Sequence, residues 1–387
     1  MATTSPPPPH AYFADLYTFD WSKLSLREPL ISVASVAFFL IGGVLIGHPS
    51  AGLIAGGGAM TVGFGVNQRI GDSRLWPMIG ATLVMCVSTF VGMIAGHNGY
   101  ALLFTATLWG LNYGLLTSLA PGISWVGQQA AVTLFVCSAF PANPHDALLR
   151  SLLTLLGGAV QILVTSVFLH LLPELQTDLL GLPKATQESI AYLYRAAPHP
   201  QPPPDPMQFP TFRGIRARYH LWHHRLPHLR GIPTFTYAVR LALTVLAAAE
   251  TYRRLGMQSG YWVPMTALLV QKPAFAETFN RALMRIAGTL AGAGLATFAL
   301  AHMHPQPLYL AIGATFFATV GFCTVNVNYG IFSVFLTTYI VFLLSLNQLP
   351  GPVIAHRRAA CTIAGGLIAL AFHVDSLRRQ KSALPTG

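Results

Sequence analysis

Two arginines one helical turn apart, Arg281 and Arg285, stand in the stretch YWVPMTALLVQKPAFAETFNRALMRIAGTLAGAG, residues 261–294. A guanidinium meets a carboxylate with two parallel N–H···O bonds, so a pair at i, i+4 on one helical face is a candidate receptor for organic anions. Ahead of them come Tyr261 and Trp262, then Pro264, and flat aromatic walls suit flat aromatic ligands. Thr266 and Thr289 add hydroxyl donors within apolar runs. Each group also has a plainer role. Arginines at a helix start anchor to lipid headgroups, and Tyr and Trp populate an interfacial belt. Threonines tie helices together inside a bundle. The residues alone leave both roles open.

Acids are scarce, with 12 Asp and Glu in 387 residues, so each one near an apolar run deserves weighing as a proton carrier. Glu250 ends such a run, with Arg253 and Arg254 following at i+3 and i+4, and is either a helix-end ion pair or a proton-coupling carboxylate. Asp72 and Glu277, in corresponding loops, share the second candidacy. Asn326 and Asn328, in CTVNVNYG between two apolar runs, suit either a re-entrant turn lining a pathway or hydrogen bonds within a bundle.

Other chemistries find little support. The segment HLWHHRLPH (220–228) puts His220 and His224 on one helical face, but no carboxylate or cysteine lies nearby and arginines crowd it. A basic amphipathic segment on the inner leaflet is the better reading, and no metal is expected. Cys86, Cys137, Cys323 and Cys361 lie in apolar runs without CxxC spacing, as small buried hydrophobes do. No Ser-His-Asp set, Walker loop or HExxH occurs. The chain is therefore not expected to be an enzyme or to carry a cofactor.

The elements that must position these residues are membrane helices. Hydrophobic residues make up 53% and charged residues 9%, with mean hydropathy +0.53. Soluble domains carry roughly 25% charged residues. Candidate spans fall near 30–47, 51–66, 77–96, 100–119, 123–140 and 148–172, then near 234–250, 260–271, 282–303, 307–322, 330–346 and 353–373. Each reaches or approaches the ~20 residues a crossing needs. The expected layout is an interfacial segment over 1–29 and a first membrane repeat over 30–172. A Pro/His/Arg-rich cytoplasmic linker (173–233), a second repeat (234–373) and a basic tail (374–387) follow. The start, MATTSPPPPH, lacks the basic region and apolar core of a cleavable signal peptide.

The two blocks read as copies. Met60-Thr61 recurs as Met265-Thr266, Arg74 as Arg281 and Thr82 as Thr289. Arg150 recurs as Arg358, and Gly157-Gly158 as Gly365-Gly366. The offset stays between 205 and 208 throughout. Six spans per copy make the repeat parallel, about an axis along the membrane normal. The class is an all-α integral membrane protein of about twelve transmembrane helices in two parallel six-helix repeats. With both termini cytoplasmic, most of the 23 Lys and Arg fall inside. Only Arg150, Arg253, Arg254, Arg357 and Arg358 fall outside, with Arg240 at a helix start. The net charge of +11 is therefore an orientation signal rather than a nucleic-acid one. Arg74 would pair with Arg281 and Arg285 in a basic ring.

YW-x-P-MTALLV-x-x-P, then Arg281-x3-Arg285-x2-Gly288-Thr289-x2-Gly292, resembles the fusaric acid resistance and aromatic acid exporter superfamily. Plant aluminium-activated malate channels look like distant members. Arg358-x3-Thr362-x2-Gly365-Gly366 adds weaker support. The resemblance implies an inner-membrane exporter of aromatic carboxylates or similar anions, driven by the proton gradient. Typical bacterial members carry large cytosolic domains, where this chain has only the 173–233 linker. The expected partners are the bilayer and a small organic anion, with a homo-oligomer open and no nucleic acid. A passive anion channel is the alternative function, and a non-transporting membrane scaffold or sensor is a third.

Overall fold

The computed structural model describes residues 18–70, 73–171, 233–302, 306–346 and 351–373. Asp72, nearly all of the linker with its histidine cluster, and the basic tail lie outside the described residues. Those described form twelve α-helices and no named strand. The first six are α1 (Arg27–Leu45), α2 (Pro49–Gly63), α3 (Leu75–Ala95), α4 (Gly99–Leu116), α5 (Pro121–Ser138) and α6 (Pro144–Phe168). After the linker come α7 (Pro233–Arg254), α8 (Trp262–Val270), α9 (Phe275–His302), α10 (Pro307–Thr324), α11 (Tyr329–Ser345) and α12 (Gly351–Ala371).

Their starts follow local rules. Proline opens α2, α5, α6 and α10, where its missing N–H costs nothing. Asn98 caps α4 by accepting from the Tyr100 N–H, and Asn143 caps α6 by accepting from that of Asp146. Asn328 caps α11, accepting from Gly330 and Ile331. CTVNVNYG is thus a cap and turn between α10 and α11, not a re-entrant segment.

Six helices are long and apolar enough to cross a membrane by length and composition: α1, α3, α6, α9, α10 and α12. The way they face supports a bilayer as solvent. On α6 the leucines Leu149, Leu152, Leu156 and Leu163 point outward, while Ser151, Thr154, Gly157, Gly158, Gln161 and Thr165 are buried. On α12, Val353, Ile363 and Leu367 are exposed, whereas Arg358, Thr362, Gly365 and Gly366 are buried. Small and polar residues inside with leucine outside is the reverse of a water-soluble helix, and suits lipid. The chain is a multi-pass membrane protein.

Small residues set the closest approaches. Gly157 of α6 lies so near the Ala55 carbonyl of α2 that a Cβ would collide with it. On α9, Gly292 meets the Val334 carbonyl of α11 in the same way. In the first six helices, α2 packs on α1 and α6, and α3 on α5 and α6; in the last six, α8 packs on α7 and α12, and α9 on α11 and α12. The two sets meet through α1 against α10 and α4 against α7.

One expected span is corrected. The run 260–271 yields only the nine residues of α8. Nine residues rise about 13 Å, less than half of a hydrocarbon core ~30 Å thick. The run is apolar because it is enclosed by protein: every residue of α8 except Leu269 is buried. The Tyr237 hydroxyl of α7 donates to the Gln271 carbonyl at 3.1 Å, and the His373 ring meets the Lys272 carbonyl at 2.7 Å. The start of α7, the end of α8 and the end of α12 therefore share one end of the bundle. The chain reaches Trp262, inside the bundle, through a bend where Ser259 has φ +60°, a left-handed conformation costly for a non-glycine residue. Gly260 packs on the Tyr252 ring there, with room for no side chain.

Candidate functional site

Helices α8, α9, α11 and α12 converge where α8 stops short. Arg285 lies ten residues into α9 from the Lys272 end, and Arg358 thirteen residues before the end of α12. At 1.5 Å per residue these depths are about 15 and 20 Å, both near the middle of a ~30 Å core. Arg285 is 1% exposed and Arg358 is 0% exposed. The two lie on helices that pack against each other.

The partners of these arginines are few. The Arg358 guanidinium carbon sits 3.9 Å from the centroid of the Trp262 ring, on the first residue of α8. Its Nε donates to the Thr337 hydroxyl of α11 at 3.4 Å. Both terminal nitrogens of Arg358, and the Nε of Arg285, have no hydrogen-bond partner among the described residues. The buried hydroxyls of Thr266, Thr289 and Ser333 are likewise unpartnered there. The ion pairs among the described residues are Lys23–Asp20, Arg74–Glu28, His145–Asp146, Arg253–Glu250 and Arg254–Glu250. None touches Arg281, Arg285 or Arg358. A buried charge without a counter-charge costs several kcal/mol, so charges kept at membrane depth mark function before structure.

A rim leads inward to this pair. Arg281 is half-buried, one turn toward the Lys272 end, with its guanidinium carbon 4.5 Å from the Tyr329 ring. Lys272, in the loop before α9, has its pKa pushed down to about 8 by burial and then by Arg281, with Glu277 acting the other way. The Lys272 N–H donates to the Thr278 hydroxyl at 2.9 Å, which fixes this loop on α9.

The residues singled out from the sequence separate into two groups. Arg281, Arg285, Tyr261, Trp262, Thr266 and Thr289 all lie on α8, α9 or the bend before α8. Arg74 does not join them. It precedes α3 in the other half and donates to Glu28 of α1 at 3.0 Å. The positions at the matching offsets from Arg285 and Trp262 hold Met78 and Gly57, so neither side chain has a counterpart in the first half. Glu250 has both oxygens engaged, by Arg253 at 2.7 and 2.8 Å and by Arg254 at 2.5 Å. Glu277 is exposed.

Sequence reasoning missed Arg358, which the charge count placed on the outer flank, and Thr337. For Arg358 the signal was present: it falls four residues before Thr362 on the face that carries Gly365 and Gly366. Gly365 is pressed so close to α8 that a Cβ would lie 2.5 Å from the Val263 carbonyl.

An all-helical membrane bundle with unpaired cations at mid-depth is the class this geometry defines. Residues 241–372 match the model of the fusaric acid resistance protein-like family. The match encloses α8, α9, α11 and α12, and leaves Arg74 outside. An uncharacterized protein of Synechocystis is 26% identical over 156 residues, covering 40% of this chain and 20% of that protein. Another, uncharacterized protein ORF2 of Neisseria gonorrhoeae, is 32% identical over 140 residues, covering 35% of this chain and 33% of that protein. The chain thus spans a third or less of the length of these curated relatives. No solved structure matches.

Proposed function

We propose that the protein is a transporter that exports small organic anions, aromatic carboxylates first, across the inner membrane under the proton gradient. The observation that carries this reading is Arg285, 1% exposed at mid-depth in the bundle with an unpartnered Nε and no carboxylate paired to it among the described residues. The anion's carboxylate would meet Lys272 and Arg281 at the cytoplasmic rim and pass to Arg285, while its ring lies against Tyr261 and Trp262. The match of residues 241–372 to the fusaric acid resistance protein-like family favours transport over a scaffold.

The architecture proposed with it is two parallel six-helix repeats with both termini cytoplasmic. In its favour, the packing of α3 on α5 and α6 recurs as α9 on α11 and α12, and α1 against α10 corresponds to α4 against α7. A passive channel is the second reading, favoured by the file of Lys272, Arg281 and Arg285 running from the loop before α9 into that helix.

Efflux of labelled benzoate and of aliphatic carboxylates from proteoliposomes, with and without a proton gradient, tests both. Carrier action predicts saturable benzoate efflux that an imposed gradient accelerates. Flux indifferent to the gradient selects the channel, and no flux of any anion overturns transport altogether.

A further inference from the structure

Resting on the organic-anion reading, we infer that Arg358, which was not among the site residues read from the sequence, is the residue that grips the carboxylate. Its grip is a planar fork held by Trp262 and Thr337 and backed by the charge of Arg285. Three observations build this fork. The guanidinium carbon lies over the Trp262 ring, so that ring attracts the cation without using any N–H. The Nε is committed to Thr337. The two remaining nitrogens, Nη1 and Nη2, are fully buried and unpartnered among the described residues, and together they are the edge that accepts a carboxylate with two parallel bonds.

The second positive charge, on Arg285 of the neighbouring helix α9, raises the attraction for an anion, and its Nε is likewise unpartnered among the described residues. The half-length of α8 belongs to the same device. Because α8 begins with Trp262 inside the bundle, the positive end of its backbone dipole lies at the fork as well. A spherical anion gains from the two charges but makes no use of a planar edge. The site therefore selects planar carboxylates over halides.

Equilibrium dialysis of radiolabelled benzoate against the purified full chain in detergent, with chloride as competitor, tests this. Wild type should bind benzoate, with chloride displacing it only at much higher concentration. Arg358→Lys keeps the charge but has no fork, and should bind benzoate at least tenfold more weakly while chloride competes as before. Trp262→Leu, which leaves every charge in place, should also weaken benzoate and reads the same site independently if Arg358→Lys fails to fold. Benzoate affinity unchanged in both variants overturns the proposal.

The same preparations in proteoliposomes separate it from the transport reading. Binding that depends on Arg358 without any flux keeps the fork and ends transport. Flux that both variants leave intact keeps transport and ends the fork.

Discussion

The guanidinium carbon of Arg358 lies 3.9 Å from the ring centroid of Trp262, though the two belong to different helices far apart in sequence. The contact falls at the first residue of α8, where that short helix begins inside the protein. The bend before α8, with Ser259 at φ +60° and Gly260 under the Tyr252 ring, keeps it short. Backbone strain at that bend and buried charge on α12 are thus two parts of one arrangement.

Arg285→Met separates function from stability. Replacing a buried charge by an apolar side chain of similar length is often neutral or stabilising by ~1–4 kcal/mol. The variant is expected to lose at least tenfold in benzoate flux while its thermal midpoint in detergent holds or rises. A lowered midpoint with unchanged flux would assign Arg285 to structure.

Gly292→Leu drives a side chain into the Val334 carbonyl of α11. Overpacking a tight helix contact costs roughly 1–3 kcal/mol, and here it also parts the helices that hold Arg285 and Thr337. Thermal unfolding should fall accordingly. Gly294→Ala on the same helix meets nothing within 4 Å and should cause no loss, which makes it the control.

The helices and their order were readable in the sequence, because apolar runs near 20 residues and proline or asparagine starts are local signals. So was the concentration of candidate residues in 261–294. What could not be read is how far α8 penetrates. Its apolar letters look the same whether lipid or protein surrounds them. Arg74 misled for a related reason: a matching offset between two stretches of sequence says nothing of the neighbour a side chain finds, and Arg74 found Glu28. Arg358 was undervalued because a count of charges along loops takes any arginine near a span end as exposed, whereas its helix starts seven residues earlier and carries it inward.

Glu250→Gln addresses proton coupling. The carboxylate is held by Arg253 and Arg254 at the end of α7. A carboxylate so paired stays ionised, which suits an ion pair at a helix end rather than a proton carrier. The variant is expected to keep wild-type flux and its sensitivity to an uncoupler. Flux that ceases to respond to the uncoupler would make Glu250 the coupling group.

Lys272 gives the protein a measurable pH dependence. Its pKa is pushed down to about 8, against about 10.4 for a free lysine, chiefly by burial in the loop before α9. Between these values the unfolded chain binds more protons than the folded one, so stability rises with pH across that window. The cost of holding a buried ammonium is fully present below pH ~8 and is gone above ~10.4. The thermal midpoint of the wild type in detergent should therefore climb between pH 8 and 10, and that of Lys272→Met should not. Flux should move the opposite way, falling above pH 8 as the rim loses one positive charge, with Lys272→Met already at the lower level and flat. A wild-type midpoint that drops over this range, or a variant that still climbs, would remove Lys272 from this role.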